Sequence, residues 1–170
     1  MLVELVGFLK ASELGFMSNG IPSFADFSPT QGENLDEKLA VEHFLGKSAS
    51  QAESLFRENA IYYAGDLMWM GDKAFVFYFP AFSRFLESTH ADGDADALNS
   101  LASVVAFRAE HEPQSIIGAR DAVLSALNYC AENYPKFRVE AVIHGDLRSK
   151  LLQLQKAVAA LNPPGVPHKR

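Results

Sequence analysis

The sequence predicts a mainly α fold: one compact domain of about six or seven helices around a central aromatic helix, with room for one short β element. Three observations carry this. Residues 60–90 (AIYYAGDLMWMGDKAFVFYFPAFSRFLESTH) hold the only Trp, three of the five Tyr, five of the thirteen Phe and two of the four Met. Apolar residues recur at helical spacing along most of the chain. The 48% apolar and 21% charged fractions are ordinary for a globular domain, and 170 residues can bury a self-sufficient core.

In chain order, Leu2, Leu5, Val6 and Leu9 fit a short helix that Gly15 stops, with strand as the alternative. Residues 15–34 read as a loop punctuated by Gly, Pro, Asn and Ser, with Phe16, Phe24 and Phe27 tucked under the domain as anchors. Leu35, Leu39 and Phe44 place a helix that Gly46 ends. Ser48 with Gln51 forms a capping box for the next helix, which carries Ala52, Leu55 and Phe56 on one face. Phe75, Tyr78, Phe79, Phe82 and Leu86 make the strongest apolar stripe in the chain. Pro80 lies inside that helix and removes a bond to the carbonyl of Val76, so a kink or a freed carbonyl is expected there. After an acidic connection at 89–96, Leu98, Leu101 and Val105 mark a helix over 97–110. Pro113 suits a first helical position, and Ile116, Val123, Leu127, Cys130 and Tyr134 align along 114–134 until Pro135. Residues 138–144 (RVEAVIH) read as a short strand or extended connector. A last helix from Asp146 aligns Leu147, Leu151, Leu154, Val158 and Leu161, and Pro163-Pro164-Gly165 stops it. The expected organisation is one helical domain over 1–162, its last three helices packed around the aromatic one, and a flexible tail at 163–170.

The formal charge of −6 argues against nucleic acid, which demands clustered Lys and Arg. A single cysteine excludes an internal disulfide framework and a thiolate metal site, so neither cofactor nor metal is expected. The longest uncharged apolar run, 74–83, is too short to span a bilayer. Glu4 inside the first apolar run, with no basic residue before it, makes a poor signal peptide. These readings place the chain in the cytoplasm, away from membranes.

Several motifs fail on their chemistry. Gly46-Lys47-Ser48 resembles the end of a phosphate-binding loop, but Val41 stands where the first Gly is required. Asp92, Asp94 and Asp96 match three calcium-loop positions, yet Ala97 and Ser103 replace the turn Gly and the bidentate Glu. His144-Gly145-Asp146 resembles the catalytic loop of aminoglycoside phosphotransferases, but Leu151 replaces the metal-binding Asn, and Asp146 is better read as a helix cap. The histidines (43, 90, 111, 144 and 168) form no HExxH or HxH pair, and no G-x-S-x-G occurs. Cys130 lies on an inward stripe. No residue is assigned a catalytic role.

Two surface features remain as ligand- or partner-binding candidates. Tyr63, Asp66 and Trp69, with Tyr62 and Asp72 nearby, could line a groove to which folding brings Arg108 or His111. Burial of Trp69 and its flanking Met68 and Met70 in the core is the commoner fate of such residues. Phe77 and Arg84 lie on the back of the 74–88 helix, where an aromatic beside a guanidinium suits a protein contact.

The block from His43 to Leu86, above all DLMWMG (66–71) and AFVFYFPAF (74–82), resembles a family of small uncharacterised bacterial proteins with an "AF, aromatic pair, Pro-Ala, aromatic" segment near mid-chain. The resemblance implies a bacterial, cytoplasmic, helical protein and transfers no functional residue. The leading functional expectation is a protein-interaction module, for example an immunity or antitoxin partner. The alternatives are a small-ligand binder or enzyme with a pocket near Tyr63, Asp66 and Trp69, and a structural homo-oligomer.

Overall fold

The computed structural model describes residues 20–162. The helix expected at 2–9, the anchor Phe16, the Pro163-Pro164-Gly165 stop, His168 and the tail to Arg170 lie outside the described residues. Within them the chain is mainly helical and has no strand. The α-helices are α1 (Phe24–Phe27), α2 (Leu35–Phe44), α3 (Ala49–Glu58), α4 (Ala60–Asp66), α5 (Asp72–Glu87), α6 (Ala95–His111), α7 (Pro113–Gly118), α8 (Arg120–Glu132), α9 (Ala141–His144) and α10 (Leu147–Ala160). Single 3-10 turns occur at Thr89–Ala91 and Tyr134–Phe137.

Ten described α-helices replace the expected six or seven, and the reason is local. The stripe over 114–134 is real, with Ile116, Val123, Leu127 and Cys130 all fully buried, but the backbone breaks at Ala119 into α7 and α8. Helices of four to seven residues, such as α1, α4 and α9, are too short for hydrophobic periodicity to reveal. The short β element is also corrected. Arg138 adopts a left-handed conformation (φ 51) that turns the chain out of an extended path, and α9 follows with Val142 and Ile143 in solvent.

Polar side chains set the helix starts. Ser48 and Gln51 form the reciprocal capping box of α3, Asn34 caps α2, Asn59 caps α4, Asp94 caps α6 and Asp146 caps α10. Each satisfies backbone N–H groups that lack an intrahelical partner.

The aromatic helix α5 is the centre of the larger layer. Nine of its sixteen residues are buried, an arc wide enough to pack on several sides at once. It lies against α3, α7, α8 and α1. Its rings interlock with those of other helices: Tyr78 with Phe27 and Phe44, and Phe82 with Phe56. The Tyr78 hydroxyl, its pKa pushed up to about 12 by burial, donates into the carbonyls of Phe44 and Lys47, each 2.8 Å away. Burying one such ring contributes roughly 2–3 kcal/mol. Pro80 sits within α5 without ending it, half-buried at a cleft shared with Val76, Gly118 and Ala122. The second layer departs from expectation: α10 packs on α8 and α6 instead of on α5, and α6 carries α4 and α7. One continuous buried cluster joins the layers.

Two further expectations need correction. Helix α2 buries Glu37, Ala40 and Phe44 and leaves Leu35 (72% exposed) and Leu39 (40%) outside, so it is rotated from the face its leucines suggested. The cause is Glu37, whose Oε2 accepts from Ser28 Oγ (2.9 Å), Thr30 Oγ1 (2.6 Å) and Thr30 N–H (3.2 Å) and pins that face to the preceding turn. Phe27 is the buried anchor of the 20–34 segment, whereas Phe24 is 47% exposed. Phe27 also offers its carbonyl to the N–H of Gly71 at 2.9 Å.

That last contact leaves no room for a side chain. A Cβ at residue 71 would lie 2.2 Å from the carbonyl oxygen of Asp26. Gly71→Ala should therefore push α1 off the start of α5 and lower stability by about 1–3 kcal/mol, measured by urea unfolding.

Candidate functional site

The turn between α4 and α5, residues 67–71, is held from inside by Arg108 of α6, which is 1% exposed. Its Nη1 donates to the carbonyls of Met68 (3.2 Å) and Met70 (2.7 Å), and its Nε donates to Ser115 Oγ at 2.9 Å. Nη2 donates to Asp72 Oδ1 at 3.2 Å, and the guanidinium carbon lies 4.7 Å from the centre of the Phe75 ring. Burial pulls the Arg108 pKa below its ordinary value, opposed by Asp72 and Glu112, and the group remains the cation that the turn needs. Ser115 Oγ passes a bond on to the carbonyl of Glu112 at 2.7 Å. One side chain thereby ties α4, α5, α6 and α7 together.

With the carbonyls on either side of it fixed inward, Trp69 points outward and is half-buried. Met70 joins the core, while Met68 packs against it from the edge. Trp69 packs at a tilt against Phe107 (5.2 Å between centroids) and Phe107 against His111 (4.6 Å). These rings, Glu37, Arg108 and Glu112 line a cavity of about 410 Å³. Folding thus brings both Arg108 and His111 to Trp69.

Tyr63 and Asp66 belong to a different place, the α2–α4 seam. There His43 Nδ1–H donates to Asp66 Oδ2 at 2.7 Å, and the Tyr62 hydroxyl lies 3.4 Å from His43 Nε2. The rings of Tyr62 and Tyr63 flank the imidazole at 5.1 and 5.3 Å. Burial raises the Asp66 pKa and outweighs the His43 bond, which lowers it; burial likewise raises the Tyr63 hydroxyl. An imidazole oriented by a buried carboxylate is the geometry of a general base. Here the Tyr62 hydroxyl stands 3.4 Å from the other nitrogen, at the edge of solvent. On the same side of α2 lie Leu35 and Leu39, two turns and one turn before His43, and α4 adds Ile61 and Tyr62, both more than half exposed.

Phe77 and Arg84 are not brought together as a free pair. Phe77 is half-buried, edge-on to Tyr78 at 4.8 Å, beside Gly20 and Ile21. Arg84 is exposed, but its Nε donates to Glu53 Oε2 at 3.1 Å. Burial would raise the Glu53 pKa; its bonds to Arg84 and Arg57 overcome this and hold it below the usual carboxylate value.

The rejected motifs have structural duties. Asp94 caps α6, Asp92 faces Lys136 at 3.7 Å, and Asp96 accepts from His144 Nε2 at 3.0 Å. Among the described residues no group of three or more His, Cys, Asp or Glu is placed to hold a metal. Burial pushes the Cys130 thiol up to about 12, which leaves it inert at neutral pH. No described helix is long and apolar enough to cross a membrane.

Sequence reasoning missed Glu37 and His43. The i, i+3, i+7 spacing of Glu37, Ala40 and Phe44 was present but centred on an acid. His43 and Asp66 are 23 residues apart, beyond any local pattern. No family model, curated protein or solved structure matches the chain.

Two outcomes follow. Arg108→Met leaves two inward carbonyls without donors and should cost about 3 kcal/mol, read by thermal or urea unfolding. The Asp96 bond is the largest of the effects that raise the His144 pKa, so its stabilisation is complete below the unfolded value of 6.5 and is lost as pH rises through the folded one. Amide exchange in residues 141–146 should therefore be slower at pH 5.5 than expected from intrinsic rates at pH 8.5, and His144→Gln should remove that difference.

Proposed function

We propose that this chain is a protein-interaction module that binds its partner through the α2–α4 face. The observation that carries the reading is the exposure of Leu35, Leu39, Ile61 and Tyr62 around the half-buried His43. Apolar side chains grouped on one face mark contact surfaces more often than scattered ones do. The His43–Asp66 bond and the two tyrosine rings hold this face rigid, which lowers the entropy lost on binding. Asp36 and Glu42 lie on α2, and Glu58 ends α3 just before α4, so a partner apolar at its centre and basic at its rim fits best. The formal charge of −6 supports the same choice.

The resemblance of residues 43–86 to small bacterial proteins is in keeping with a cytoplasmic partner of the immunity or antitoxin kind. The Phe77–Arg84 surface is the weaker candidate, because Arg84 is already engaged by Glu53.

The test is a Leu39→Lys, Tyr62→Ala double variant, compared with the unaltered chain by affinity capture from its source cells and by light scattering. Both substitutions are at exposed positions, so unfolding should shift by less than about 1 kcal/mol. A discrete protein retained by the unaltered chain and lost by the variant supports the reading. A concentration-dependent dimer abolished in the variant points to self-association through this face. Identical behaviour of the two proteins in both assays sinks the assignment.

A further inference from the structure

Helix α2 has a second side. While Leu35 and Leu39 face solvent, Glu37 faces inward, 5% exposed, and lines the cavity beside Trp69. All three bonds from Ser28 and Thr30 go to one of its oxygens, Oε2. Oε1 accepts from no described residue. Glu37 therefore brings a nearly buried carboxylate to the cavity wall, with one oxygen engaged by Ser28 and Thr30.

The other walls agree in chemistry. Trp69, Phe107 and His111 pack in sequence at tilted angles and line the cavity together, and aromatic rings are among the groups that attract organic cations. Arg108 also lines the cavity, but its donors are directed at Met68, Met70, Ser115 and Asp72, and Asp72 pairs with its charge. Glu37 and Glu112 are then the excess charge of the site, and both are acidic. A volume of about 410 Å³ falls within the range of small-molecule sites.

We propose that the cavity between Trp69, Phe107 and Glu37 binds an organic ammonium group, supplied by a free amine or by a lysine side chain. The ammonium donates to Glu37 Oε1, its charge is balanced by Glu37 and Glu112, and its alkyl stem lies against the Trp69 and Phe107 rings. This site does not depend on the α2–α4 face: it lies on the opposite side of α2, and either assignment can fail alone.

Trp69 is the single tryptophan, so its fluorescence reports on this cavity alone. The full chain is titrated with n-butylammonium chloride and with N-acetyl-lysine methylamide, against sodium chloride and n-butanol as controls. The expected result is a saturable change in Trp69 emission with a cation, half-complete at or below about 10 mM, and weaker at high salt. Glu37→Gln should weaken it about tenfold. Because Glu37 also holds the 28–30 turn, Glu112→Gln at the exposed mouth is the second variant, and should weaken binding about threefold with no change in the unfolding midpoint. A response to both cations means that a free amine suffices, while a response to the lysine derivative alone assigns the ammonium to a protein side chain. The proposal is overturned by no saturable change up to about 50 mM, by an equal response to n-butanol, or by unchanged affinity in both variants.

Discussion

The buried guanidinium of Arg108 is the constraint on which the rest of the structure depends. Helix α4 stops at Asp66 and α5 starts at Asp72, and the turn between them points the carbonyls of Met68 and Met70 into the interior. Carbonyls left there without donors would cost about 1–3 kcal/mol each. Arg108 answers both, reaches Ser115 on α7 and Asp72 on α5, and rests on the Phe75 ring. A lysine presents one ammonium and could not serve four partners spread across this plane. The same clamp that closes the core turns Trp69 outward, so packing and candidate site have one cause.

Other cations do comparable work at helix ends. Lys136 Nζ donates to the carbonyls of Leu86 and Ser88 at the end of α5, at 2.8 and 2.9 Å, and also to the Tyr129 hydroxyl. Arg120 donates to the carbonyls of Val158 and Ala159 at the end of α10. Cations favour helix C-termini both as donors and through the helix dipole. Charges committed in this way are not free on the surface, which deepens the acidic character that the net charge already implies.

Helix α2 borders both of the proposed sites. Its rotation is decided by one acid, Glu37, and that rotation exposes two leucines on one side while bringing the Glu37 side chain to the wall of a cavity on the other. Exposed Leu35 and Leu39 are unfavourable for an isolated domain and sensible for one that covers them with a partner. The His43–Asp66 bond links α2 to α4 beneath the adjoining surface.

By itself the sequence determined the helical class, the capping residues Ser48 and Asp146, the buried stripe Phe75–Tyr78–Phe79–Phe82–Leu86 and the inward-facing Cys130. These follow from forces acting over one or two turns: periodic burial, and a side-chain oxygen reaching a nearby N–H. Tertiary structure decided what rests on contacts between distant residues. The break at Ala119, the rotation of α2, the docking of α10 on α8 and α6, the meeting of His43 with Asp66 and the gathering of Arg108 and His111 at Trp69 are of this kind. Candidate residues Trp69 and Asp66 are close in the chain yet serve separate places, because a buried guanidinium aims one and a histidine from another helix holds the other. Local spacing encodes neither partner, since loop closure brings such groups together only once the core has formed.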